Sequence, residues 1–244
     1  MKKLTTVAIA ITAALASTAA FASSSYVTGN VQQHDREDFN GSGTTSTLEA
    51  GHTFDSNTTL LVEFDGIQLG ATDYGNNGDD SSAPAFITLG VEQMFNINEK
   101  LWVAVGYHHL LHDGDTYQYR PLVKIGYNFD NGISISNRTR GQIMKDDWKN
   151  EAGIKDKDNT NDQVRFDNRI AYAFSSMPVA ISYNNIYYIN DADNKDNSME
   201  HELRTTWTRD GVQPYVEYRN QEDAAKHHAG HNNNVLVLGA SYGF

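Results

Sequence analysis

Eight basic residues carry the chemistry of this sequence: Arg120 and Lys124, Arg138 and Arg140, Arg165 and Arg169, Arg204, and Arg219. Within each segment they fall on alternate positions. Between Tyr117 and Phe129 one set reads Gln118, Arg120, Leu122, Lys124, Gly126 and Asn128, and the other Tyr117, Tyr119, Pro121, Val123, Ile125, Tyr127 and Phe129. Successive side chains of a β-strand point to opposite faces, so the bases share one face and the apolar residues the other. The same split sets Ser134, Ser136, Arg138 and Arg140 against Ile133 and Ile135, and Arg165, Asp167 and Arg169 against Val164, Phe166 and Ile170. Arg204 opposes Leu203 and Trp207, and Arg219 opposes Val216 and Tyr218. Seven of the eight are arginine, whose planar guanidinium forks onto a carboxylate where lysine offers a point charge. Such a face binds carboxylates reversibly; it makes and breaks no bonds.

The elements that must hold this face are short strands. Alternation and turn signals predict twelve, near 25–34, 45–54, 58–67, 85–95, 101–109, 117–129, 133–141, 163–174, 179–189, 199–208, 212–220 and 234–244. Odd joins read as long and polar (35–44, 68–84, 110–116, 142–162, 190–198, 221–233). Even joins are tight, with Asp130-Asn131-Gly132 and Arg209-Asp210-Gly211 as hairpin signals. Short turns on one side and long loops on the other is the plan of a transmembrane antiparallel β-barrel, with the short turns periplasmic. An aromatic precedes each tight turn: Phe54, Phe95, Phe129, Phe174 and Trp207. Large rings at one depth form a girdle at the membrane–water boundary. The last strand alternates Leu236, Leu238, Ala240 and Tyr242 and stops on Phe244, which suits a lipid-facing strand read by barrel-assembly machinery. Outward apolar faces then meet lipid, and the bases must point inward, since one at mid-bilayer costs about 2–4 kcal/mol.

The N-terminus fits this destination. Lys2 and Lys3 precede an apolar run from Val7 to Ala16 and the small-x-small stretch Ala20-Phe21-Ala22. This predicts a signal peptide over 1–22 and a single barrel domain over 23–244, in the outer membrane of a Gram-negative cell. Losing Lys2 and Lys3 moves the formal charge from −12 to −14. The mean hydropathy of −0.56 does not argue against a membrane, because a barrel strand needs only half its residues apolar. With no cysteine, no disulfide scaffold exists, and the closed hydrogen-bond ladder must hold the fold.

Acids temper the basic face. Glu49, Glu63 and Asp65 point inward from the early strands, giving a weakly acidic side opposite the basic one. Asp167, Glu202 and Glu217 are available to brace arginines, and three acids leave an excess among eight bases. Most other acids fall in the long loops, where they serve solubility or hold divalent cations beside lipopolysaccharide. Twelve strands leave a bore narrower than that of large porins but wider than an eight-stranded barrel that side chains fill. A narrow basic bore selects anions.

Three runs resemble the KdgM family of oligogalacturonate-specific porins, which includes the sialic-acid channel NanC: Tyr117 to Gly132, Asn168 to Phe174 and Glu202 to Arg219. The likeness is clearest from 101 to 220 and at the C-terminus; the first 100 residues match only in strand pattern. The resemblance implies a monomeric twelve-stranded channel with arginine tracks that passes acidic oligosaccharides such as oligogalacturonate or oligoalginate, or sialic acid. The eight bases are the positions carried over. The long acidic 142–162 loop and the acids of strands two and three depart from the family pattern and leave the particular sugar open.

Two rival classes remain. An outer-membrane protease or lipid hydrolase would draw on His108, His109 and His112 near one loop and His227, His228 and His231 near another. An adhesin would use the barrel only to present loops. No phosphate loop, metal spacing, cofactor motif or nucleic-acid signature accompanies either, and no catalytic role is expected. Inward Trp102 and Tyr215 could stack on sugar faces or simply pack the inner wall.

Overall fold

The computed structural model describes residues 23–35, 42–69, 84–145, 162–191, 195–222 and 232–244. It contains twelve strands: β1 Ser24–His34, β2 Thr44–Thr53, β3 Thr58–Gln68, β4 Phe86–Asn96, β5 Leu101–His112, β6 Asp115–Asn128, β7 Ile133–Met144, β8 Gln163–Ala173, β9 Val179–Asn190, β10 Ser198–Trp207, β11 Gln213–Gln221 and β12 Asn233–Gly243. Each pairs antiparallel with its sequence neighbours, and β1 pairs with β12, closing the barrel. Closure leaves no edge strand and satisfies the backbone without water, which the hydrocarbon requires. Phe244 completes the seam: its N–H donates to the Ser25 carbonyl at 2.9 Å and its carbonyl accepts from Ser25 N–H at 2.8 Å.

The outer face carries the period-two apolar set, including Val31, Leu89, Val123, Ile170, Leu203 and Leu238, all exposed. At the turn end Phe54, Phe95, Phe129 and Trp207 are likewise exposed, as a girdle requires. Tight turns there use left-handed residues where hairpins need them, Gly132 at φ 85° and Gly211 at φ 80°.

Two features differ from the sequence reading. The 110–116 join is no long loop: His112 pairs with Asp115, and only Asp113 and Gly114 turn the chain, at φ 50° and 78°. Asp-Gly accepts positive φ at both positions, so the strands extend to the hairpin tip. A register shift between Leu110 and Leu111 then leaves Tyr117 without a ladder partner. The extra residue reverses its direction. Tyr117 does not face lipid; it packs with inward Phe86 and His112, ring centroids 5.2 and 5.9 Å away. The leader 1–22, the loop acids Asp146 to Asp158, and His227, His228 and His231 lie outside the described residues.

Candidate functional site

The structure puts all eight predicted bases on the inner face of β6 to β11. Their neighbours on the same face are Gln118, Leu122, Ser134, Gln142, Ala171 and Thr206, all buried, while residues of the opposite parity such as Val123, Ile135, Ile170 and Leu203 are exposed on the outside. Cross-strand register assembles the bases into a track. Lys124 lies opposite Arg138, Arg138 opposite Asp167, and Arg140 opposite Arg165. Arg204 lies opposite Glu217, and Arg219 opposite Glu202.

Five of the eight hold carboxylates. Asp167 is shared: Arg138 donates to it through Nε and Nη2 at 2.9 Å each, and Arg165 through Nε at 3.0 and Nη2 at 2.7 Å. Glu217 is shared in the same way between Arg204 and Arg219, and Arg219 also reaches Glu202 at 3.5 Å. Lys124 pairs with Glu92. Arg120 and Arg140 have no carboxylate within ion-pair distance among the described residues. Arg120 Nε donates to Gln118 Oε1 at 2.7 Å, and buried Arg140 Nε has no hydrogen-bond partner. Arg169 lines a recess with Ser182, Asn184, Glu202, Arg204 and Glu217.

Among the described residues the wall carries no basic excess. Glu92 and Glu200 also face inward, and with Glu49, Glu63, Asp65, Asp167, Glu202 and Glu217 they match the eight bases in number. Both were legible by parity, Glu92 with Thr88 and Gly90, Glu200 with Glu202 and Arg204. What survives is separation. β2 to β4 carry Glu49, Glu63, Asp65 and Glu92 with no base, and every base lies on β6 to β11. On the acidic side Glu49 accepts from Tyr26 at 2.7 Å and Asp65 from Thr47 at 2.5 Å.

Glu92 reaches Lys124 because nothing stands between them. It lies opposite Gly106 on β5, and Gly106 lies opposite Leu122 on β6. A Cβ on Gly106 would sit 2.9 Å from Glu92 Cγ. Glycines also seat the inward aromatics. Tyr26 lies over Gly51, Trp102 over Gly126 and Tyr215 over Gly239, each directly opposite in the ladder and each ring within 2.4 Å of where a Cβ would be. Trp102 and Tyr215 are only 6% exposed, so they are wall packing rather than sugar platforms.

The histidines do not converge. His108 faces inward and bonds Glu92 at 2.9 Å; His109 faces outward among Tyr107, Tyr119 and Thr116; His112 stacks on Phe86. Among the described residues no group of histidines and carboxylates could hold a metal ion.

A family model described as oligogalacturonate-specific porin protein (KdgM) matches residues 17–244. The chain belongs to this family. The family and the closed barrel make it a porin, a channel of the outer membrane. Among solved structures the NanC porin matches at TM-score 0.69 and 12% identity, covering 88% of this chain and 98% of its own. The KdgM porin in complex with disordered oligogalacturonate matches at 0.63 and 14%, covering 90% and 99%. The CymD monoaromatic hydrocarbon channel matches at 0.58 and 9%, covering 91% and 87%. No curated protein sequence matches the chain. A fold shared by a KdgM-family porin and a hydrocarbon channel does not name a solute; the lumen side chains must.

Proposed function

We propose that this KdgM-family porin passes acidic oligosaccharides, such as oligogalacturonate or oligoalginate, by passive diffusion along Arg120, Lys124, Arg138, Arg140, Arg165, Arg169, Arg204 and Arg219. The observation that carries the reading is the state of Arg120 and Arg140. Both are lumen guanidiniums without a carboxylate in range among the described residues, beside Arg138 and Arg165, which share one. A buried cation without its counter-ion is costly, and a sugar carboxylate relieves that cost. The shared acids keep each contact weak: a uronate meeting Arg138 or Arg165 competes with Asp167. Weak successive sites let a solute leave as readily as it binds. The complex of a KdgM porin with oligogalacturonate supports the substrate class. Energy source, cofactor and catalysis play no part.

The equal numbers of inward acids and bases favour a second reading, a sialic-acid or general small-anion porin with mild selectivity. Residues 1–22 act in both readings as a leader removed after Ala22. In both, Phe244 is the assembly signal and the outer face meets lipid and lipopolysaccharide.

Reversal potentials in a planar bilayer under a KCl gradient test the proposal, for the native channel and for Arg138→Gln/Arg140→Gln. Anion preference that falls in the variant, with block by trigalacturonate, is the expected result. Anion preference without saccharide block selects the second reading, and cation preference overturns both.

A further inference from the structure

Three rings meet at the loop end of the bore, and none of them belongs to the basic track. Phe86 opens β4, His112 closes β5, and Tyr117 stands near the start of β6. Phe86 and His112 stack with centroids 4.2 Å apart and planes at 23°, and Tyr117 meets Phe86 edge-on at 5.2 Å and 64°. Register brings them together: His112 pairs with Asp115 at the hairpin tip, and Phe86 precedes Ile87, which lies opposite Leu111. All three face the lumen and are part-exposed, unlike Trp102 and Tyr215, which are 6% exposed. A ring surface left open to a water-filled bore loses the gain of burial, so wall packing does not account for it.

Tyr117 reaches this group through the bulge. The shift between Leu110 and Leu111 leaves it without a ladder partner, so a strand pairing is given up to turn its ring from lipid into the bore. Bulges at barrel rims and beside binding sites re-aim side chains in this way. The Tyr117 hydroxyl has no hydrogen-bond partner among the described residues. The rings also stand where the two arcs of the wall meet. Phe86 lies opposite Asp65 of the acidic arc. Tyr117 adjoins Gln118, whose Oε1 accepts from Nε of Arg120, a base of the track.

We infer that Phe86, His112 and Tyr117 form an entry platform for the sugar ring itself, taking the C–H face of a pyranose whose carboxylate reaches Arg120 and whose hydroxyls face Asp65. This rests on the acidic-saccharide reading and adds to it a contact that does not depend on charge. A pyranose is apolar on its faces and polar round its rim, so an aromatic surface flanked by a cation and a carboxylate matches both parts. Arginine alone binds any carboxylate; a ring platform beside it favours a uronate over a small organic acid. In barrels of this plan the long loops are extracellular, so the platform is what an entering solute meets first. Weak stacking passes the sugar on to the track rather than trapping it.

Block of single-channel current by trigalacturonate, compared with block by tricarballylate, which has the carboxylates without the sugar rings, tests the platform. Tyr117→Leu, at a position with no strand pairing to lose, and Phe86→Leu are each expected to raise the half-blocking trigalacturonate concentration about fivefold, the scale of one aromatic contact. Tricarballylate block and reversal potential should stay as in the native channel, and Tyr117→Phe, which keeps the ring, should be blocked like the native channel. If trigalacturonate blocks the native channel and both leucine variants at the same concentration, the platform is overturned and the acidic-saccharide reading stands. Tricarballylate block that weakens in step would also overturn it, because the rings would then only hold Arg120 in place. A native channel indifferent to trigalacturonate would remove that reading and the platform with it.

Discussion

Glu92 on β4 and Lys124 on β6 form an ion pair across the whole width of the strand between them, passing over Gly106. The pair ties the acidic arc of the wall to the basic one. Glu92→Gln leaves Lys124 as an added free cation in the bore. The expected outcome is a reversal potential shifted toward anion preference. The stability loss should fall below the ~3 kcal/mol of a dry buried pair, because the Lys124 side chain is 24% exposed. An unshifted reversal potential would show that Lys124 does not contribute to the field of the bore.

Asp167 accepts four hydrogen bonds from Arg138 and Arg165. Asp167→Asn removes the charge that both guanidiniums share. Charge-assisted bonds contribute about 1.5–3 kcal/mol each, so the temperature of heat-modified migration in gels should fall clearly. Block by trigalacturonate should tighten in the same variant, since two guanidiniums become available at once. Weaker block would mean that Asp167 positions those arginines rather than competing with the solute.

Arg120→Gln and Arg140→Gln are expected to weaken trigalacturonate block more than they disturb folding, because neither residue braces a carboxylate among the described residues. Removing Arg140 should even stabilise the barrel slightly, as its buried Nε lacks a partner. Thermal melts and block titrations on the same preparations decide. A lower midpoint for Arg140→Gln would reveal a bracing role.

Ionic strength gives an orthogonal check. Raising KCl from 0.1 to 1 M shortens the screening length from about 10 to about 3 Å. Trigalacturonate block should weaken accordingly, and any block by neutral maltotriose should not. Equal responses would show that charge does not drive recognition.

Tyr215 bridges Gly239 below it and Arg204 above it, with the guanidinium 4.2 Å from the ring centroid. Tyr215→Ala removes a buried ring and its cation–π contact, with an expected stability loss of about 3 kcal/mol. Single-channel conductance should rise as the wall thins. Unchanged conductance would place the narrowest section elsewhere along the bore.

The architecture was legible because the bilayer forces it onto the sequence. Outward positions had to be apolar, so parity alone placed Arg120 to Arg219 inside and located the girdle from Phe54 to Trp207. Parity does not report what crosses a strand. Glu92 could be placed inward, but its partner depends on Gly106 lacking a side chain, which is a property of three strands together. Parity misplaces Tyr117 because a one-residue bulge inverts direction without any mark in composition. The Asp113-Gly114 turn hid among polar residues that read equally well as loop. The charge balance of the wall is harder to read, because Glu92 sits on a strand without a base and Glu200 lies at the loop end of β10.

The rings seated on Gly51, Gly126 and Gly239 have a further consequence. Tyr26, Trp102 and Tyr215 lie against the wall only because the facing residue has no side chain. Within the diameter that twelve strands set, the calibre of this tube is therefore trimmed in pairs, a large ring and the void beneath it. A methyl group gained at one of those glycines would lift a ring off the wall into the path. A lineage could throttle its channel with a single codon, leaving the girdle, the seam and every strand pairing as they were.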